Sequence, residues 1–187
     1  MSLFEFLMVF VSIIVGLGVT EILTGLAQRI RHRADVSGYW VHYCGVALIL
    51  FALIQNWWEL WERRYAADWT FFTLVLMLIA PASMYLIAHL IFPQPMRGSD
   101  IRAHYFSQTR PIWSLAVLAV VSSVMLGPLA FGSELLTADN AASGVLFAGF
   151  LALAISRNPI LHAVLVPAFL ALIVWDVIRF HPAFSIG

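Results

Sequence analysis

From Leu3 to Ala27 the chain carries no basic side chain and only two acidic ones, Glu5 and Glu21. An apolar run of that length matches the hydrocarbon thickness of a bilayer when coiled into a helix. It is the first of six. Further apolar stretches lie at about 39–61, 69–92, 112–131, 141–156 and 160–180, and together they take up most of the 187 residues. Hydrophobic residues make up 62% of the chain and charged residues 11%, against about 45–50% and 25% in soluble domains,. A water-soluble globular fold is excluded on that ground. The expected fold class is all-α: a single polytopic transmembrane domain over 1–187, with six spanning helices and an amphipathic loop at about 96–110.

The opening Met1-Ser2-Leu3-Phe4-Glu5 has no basic residue ahead of the apolar run, and the run outlasts a signal-peptide core,. It reads as the first span. The fifth stretch is short, and only Arg157-Asn158-Pro159 separates it from the sixth,. A re-entrant segment in its place would leave five crossings.

Arginine placement orients the set. With the end of span 1 in the cytoplasm, the inner side holds Arg29, Arg31, Arg33, Arg97, Arg102, Arg110 and Arg157, and the outer side Arg63, Arg64 and Arg179. That asymmetry places both termini outside. Tryptophan marks the same planes: Trp57, Trp58, Trp61, Trp69 and Trp175 at the outer interface, Trp40 and Trp113 at the inner one. Indole prefers that depth because its ring is apolar while its N–H needs a partner. The absence of targeting signals makes a bacterial-type inner membrane the simplest location.

Two spans carry small residues at every fourth position, Ser12, Gly16, Thr20 and Thr24 in span 1 and Gly144, Ala148, Ala152 and Ser156 in span 5. Such faces let helix backbones approach closely. They serve either packing within the bundle or association of identical chains, and the expected partners are the bilayer and a homo-oligomer. The net charge of zero argues against nucleic acid,. Pro81 and Pro167 each interrupt a span near its middle and open a Pro-Ala step,. Two oppositely oriented halves of three spans would arrange them as an inverted repeat.

Ionisable groups within spans ask for a reason, because a charge in hydrocarbon must be paired, neutralised or hydrated. Glu21 is the clearest case. Gln55, Glu59 and Glu62 follow the i, i+4, i+7 spacing of one helix face, and Asp176 of span 6 lies one turn from Arg179,. Glu21, Gln55, Glu59 and Asp176 are therefore the candidate transport pathway. His42, His89 and His162 fall near the inner side of three different spans and are candidate proton-sensing groups or ligands,. No two share a ligand-like spacing within one helix. No resident cofactor is expected, with haem or a transition metal as the alternative that three such imidazoles would permit.

The stretch from Asp100 to Arg110 alternates basic and aromatic residues and reads as a surface segment anchored in headgroups by Tyr105 and Phe106,. Gly-x-Ser-x-Gly, a phosphate-binding glycine loop, His-Glu-x-x-His, Cys-x-x-Cys and a potassium-filter motif are all missing,. With one cysteine, Cys44, no intrachain disulfide can form,. No catalytic residue is expected. The favoured reading is an oligomeric proton or cation channel or transporter. Its alternatives are a membrane-embedded haem or metal protein and a non-catalytic membrane subunit.

Overall fold

A computed structural model describes residues 3–62, 70–131 and 138–180. Among them are seven helices and no strand: α1 (Leu3–Arg31), α2 (Trp40–Glu62), α3 (Phe71–Leu90), α4 (Ile101–Ser107), α5 (Thr109–Phe131), α6 (Ala138–Ile155) and α7 (Pro159–Phe180). Five of these (α1, α2, α3, α5 and α7) are long and apolar enough to cross a membrane. The sixth expected span is α6. Its described apolar part covers only Ser143–Ile155, and its 18 residues reach about 27 Å at 1.5 Å per residue,. That is slightly short of a typical hydrocarbon core.

Local chemistry sets the helix ends. Arg29 and Arg31 occupy the last turn of α1, where cations meet the negative end of the helix dipole,. A capping box starts α3: Thr70 Oγ1 accepts from the Thr73 N–H, and the Thr70 N–H donates back to Thr73 Oγ1,. Asp100 caps α4 by accepting from the N–H groups of Arg102 and Ala103,. The turn before it uses Gly98 at φ 71°, a left-handed conformation that suits glycine,. Ser37 Oγ donates to the Asp100 carboxylate at 3.1 Å, so the α1–α2 loop is tied to the start of α4.

The bundle is apolar on both faces. Val11, Ile22, Leu53, Ile87, Leu153 and Val166 are fully buried, while Phe10, Ile13, Leu23, Phe71, Ile155, Ile160 and Val164 are exposed. An outer surface of this kind would aggregate in water and is at home in lipid. Chain order runs the helices alternately up and down. The C-terminal end of α1 and the start of α2 therefore meet the end of α3, α4, the start of α5 and the α6–α7 hairpin at one end of the bundle, called here the α4 end. α3 packs chiefly on α5 and α1, α2 on α7, and α6 on α5.

Close approach between helices comes from glycines other than those of the striped faces. A side chain at Gly149 of α6 would collide with the ring of Phe169 on α7, and one at Gly25 of α1 with the ring of Phe92. The stripes turn outward at six of their eight positions, Ala152 and Ser156 being half-buried. Ser12, Gly16, Thr20 and Thr24 are exposed, as are Gly144 and Ala148, and nothing lies within 4 Å of where a side chain at Gly16 or Gly144 would begin.

The 96–110 segment departs from the surface-anchor expectation. It contains α4, and α4 folds into the end of the bundle with Ile101 and Tyr105 buried. The physical reason is steric and polar together. The tyrosine ring fills space among four aromatic neighbours, and its hydroxyl finds a buried acceptor that no headgroup supplies.

Candidate functional site

Two polar clusters sit at opposite ends of the bundle, and a carboxylate–imidazole pair lies between them. At the α4 end, the ring of Tyr105 meets those of Tyr39, Phe106, His42 and His162, with centroids 5.2–6.5 Å apart. His162 uses both nitrogens. Its Nε2 lies 2.9 Å from the Ser156 carbonyl and its Nδ1 2.9 Å from the Tyr105 hydroxyl. A carbonyl can only accept, so Nε2 carries the proton; in the neutral ring Nδ1 is then the acceptor and Tyr105 O–H the donor. Burial pushes the Tyr105 phenol well above its ordinary range, with nearby Tyr39 adding to the effect and the Trp113 indole opposing it,. Burial also raises Tyr39, against the pull of the Arg102 guanidinium, which stands 5.8 Å over its ring.

His42 shares this cluster in another way. It is fully buried between the rings of Tyr43, Phe92 and Tyr105, and neither ring nitrogen has a hydrogen-bond partner among the described residues. The indole N–H of buried Trp113 acts on the Tyr105 hydroxyl without closing a hydrogen bond of full geometry among the described residues. His104 Nε2 lies 3.0 Å from the Leu90 carbonyl and so closes the end of α3. Arg29 Nε donates to the Tyr43 hydroxyl at 2.8 Å and fastens the end of α1 to α2.

His89 stands apart from the other two candidate histidines. Its Nδ1 lies 3.4 Å from Glu21 Oε2, joining α3 to α1 within the membrane-spanning region. Glu21 and His89 thus form a pair, with side chains 33% and 49% exposed, on the outward side of the α1–α3 contact. Among the described residues no group of three His, Cys, Asp or Glu side chains is placed to hold a metal ion. The imidazoles are therefore divided between an aromatic cluster and a carboxylate.

At the other end, Gln55 joins two carboxylates. Its Nε2 donates to Glu59 Oε1 at 3.0 Å, one turn along α2, and to Asp176 Oδ2 of α7 at 2.8 Å. Three of the four candidate pathway residues, Gln55, Glu59 and Asp176, are thus brought together, and Glu21 is not among them. The Asp176–Arg179 pair suggested by spacing, and Glu62 with Arg63, Arg64, Asp68 and Trp69, lie outside the residues whose side chains are described. Beside this network a narrow cleft opens between α2, α3 and α5, with Asn56, Glu59, Met77, Ser122 and Ser123 in its wall.

Sequence reasoning missed Tyr105 as a buried hydrogen-bond donor and Asn56 as a wall of a cleft. For Asn56 a signal existed: an amide in the middle of an apolar span demands a partner. For Tyr105 none did, because its acceptor lies 57 residues away on α7. Comparison with protein-family models, with curated proteins and with solved structures gave no match to this chain.

Proposed function

We propose that this multi-pass membrane protein conducts or carries protons or small monovalent cations. The Gln55 amide that links the carboxylates of Glu59 and Asp176 across two spans is the observation that carries the reading. Two acidic groups at one depth, held on different helices, form a binding position whose occupancy can alter how those helices meet. The Glu21–His89 pair supports it from the other half of the bundle, since both partners can take up or release a proton,. With the arginine-rich α4 end in the cytoplasm of a bacterial-type inner membrane, the carboxylates face the outer side and attract cations to it.

A second reading has its own support. The outward small-residue faces of α1 and α6 leave open space at Gly16 and Gly144, where another helix can approach closely,. We propose that identical chains associate there, so that the working unit is a homo-oligomer.

The test is flux of protons and monovalent cations into liposomes holding the purified protein, for wild type, Asp176→Asn, Glu59→Gln and Glu21→Gln. Loss of flux in the first two variants, from protein shown to be folded, is the expected result. Flux equal to wild type in all three variants, or none in wild type, would overturn the reading.

A further inference from the structure

The α4 end gathers seven of the chain's ten arginines and only two carboxylates, Asp35 and Asp100. Asp100 is engaged in capping α4 and in accepting from the Ser37 hydroxyl. Asp35 stands 3.9 Å from Arg97, a loose contact between two exposed side chains,. Arg29 is turned to the Tyr43 hydroxyl, and Arg102 lies over the Tyr39 ring. The other four, Arg31, Arg33, Arg110 and Arg157, are exposed and have no hydrogen-bond or ion-pair partner among the described residues. The positive charge of this end is therefore left uncompensated by the residues described there.

Apolar side chains that meet lipid stand beside these cations in the chain. Ile30, 69% exposed, precedes Arg31, and Ile155 and Ile160, 71% and 72% exposed, flank Arg157. Trp40, also exposed, opens α2 at the same end. Arginines interleaved with exposed isoleucines and an indole lie where acyl chains give way to water, the depth of the lipid phosphates. A guanidinium there keeps its charge, and its planar fork matches two phosphate oxygens. A soluble anionic partner would reach only the water-facing side of this collar and leave the isoleucines uncovered. A phospholipid covers both with one molecule. We propose that the α4 end is a binding surface for anionic phospholipids, whose phosphates pair with Arg31, Arg33, Arg110 and Arg157. A zwitterionic headgroup satisfies the collar less well, because its own ammonium competes for the phosphate and its net charge is zero. The surface is independent of the transport reading.

The test is thermal unfolding of the full chain in a neutral detergent, followed by tryptophan fluorescence, with added phosphatidylglycerol, phosphatidylcholine or inorganic phosphate. Phosphatidylglycerol should raise the unfolding temperature saturably, and added sodium chloride should weaken that effect. Phosphatidylcholine and inorganic phosphate at the same concentration should leave the temperature unchanged. Arg157→Gln should weaken the apparent lipid affinity about fivefold, and Arg31→Gln combined with Arg33→Gln about 30-fold, as each surface cation is lost. These side chains have no partner among the described residues, so without lipid both variants should unfold at the wild-type temperature, which separates lost binding from lost folding. Equal stabilisation by the two lipids, or a phosphatidylglycerol response unchanged in both variants, would overturn the proposal. Inorganic phosphate as effective as phosphatidylglycerol would assign the arginines to a soluble anion and overturn it too.

Discussion

The two ends of the bundle solve the same problem, polar groups among apolar helices, in opposite ways. At the α4 end the groups are imidazoles and phenols, and rings enclose them: Tyr105 and His162 bond to each other, and His42 is packed with no partner for either nitrogen among the described residues. At the other end the groups are carboxylates, which are bridged by the Gln55 amide and border an open cleft. The difference follows from charge. A side chain with an accessible neutral form can be enclosed in rings at the cost of a hydrogen bond, whereas a carboxylate needs donors, cations or water around it. The α4 end is thus an enclosed cluster of rings and the Gln55 end an amide-bridged pair of carboxylates.

That contrast can be broken most forcefully at Tyr105. Tyr105→Ala removes a buried ring and leaves His162 Nδ1 without its donor, and should destabilise the protein by about 3–5 kcal/mol, read as a fall in unfolding temperature in detergent,. Survival with little change would show that the ring cluster does not hold the α4 end together. Next in size, Gln55→Leu takes the shared donor from Glu59 and Asp176 and should cost about 2 kcal/mol, with a matching loss of flux,. Unchanged stability alongside lost flux would sharpen the comparison, by separating a functional bridge from a structural one.

Tyr105→Phe isolates the hydroxyl. It keeps the ring contacts and should cost only about 1 kcal/mol, which the same melting experiment resolves,. A loss equal to that of the alanine variant would mean that the hydrogen bond, not the ring packing, holds α4 in place.

The smallest effect concerns Asp100, at the α4 end but exposed. The Ala103 N–H, then the Ser37 hydroxyl, hold its carboxyl below the ordinary aspartate range,. A depressed folded-state pKa means that the capping contribution is complete above the ordinary aspartate range and fades as the pH falls through the depressed value. Proteolysis of the 96–110 segment should therefore quicken toward pH 3, and in Asp100→Ala it should already be quick at pH 6. A wild-type rate that does not respond to acid would rule out the cap as the fastening.

Much of the architecture was legible along the chain because hydropathy is a local property. Runs such as 3–27 and 160–180 announce helices whatever they pack against, and the edges found, Leu3–Arg31 and Pro159–Phe180, differ from those runs by a few residues at most. Glu59 and Asp176 could be singled out as acids within apolar spans, but their joining through Gln55 spans 121 residues of sequence and has no local signature. The small-residue periodicity misleads in a specific way. A four-residue repeat marks a face without stating which way the face turns, and the close contact in α6 fell instead to Gly149, one position off the stripe.

What the sequence by itself determined is the medium and the material: an apolar chain that must satisfy its backbone within helices and must account for each ionisable group it carries through lipid. Only the tertiary structure decided the pairings. It sent His89 to Glu21 and His162 to Tyr105, folded α4 inward, and set Asn56 beside Ser122 in one narrow cleft. The reason is physical. Once every face of every helix is apolar, hydrophobicity no longer distinguishes inside from outside, and side-chain shape with a few long-range hydrogen bonds selects the arrangement.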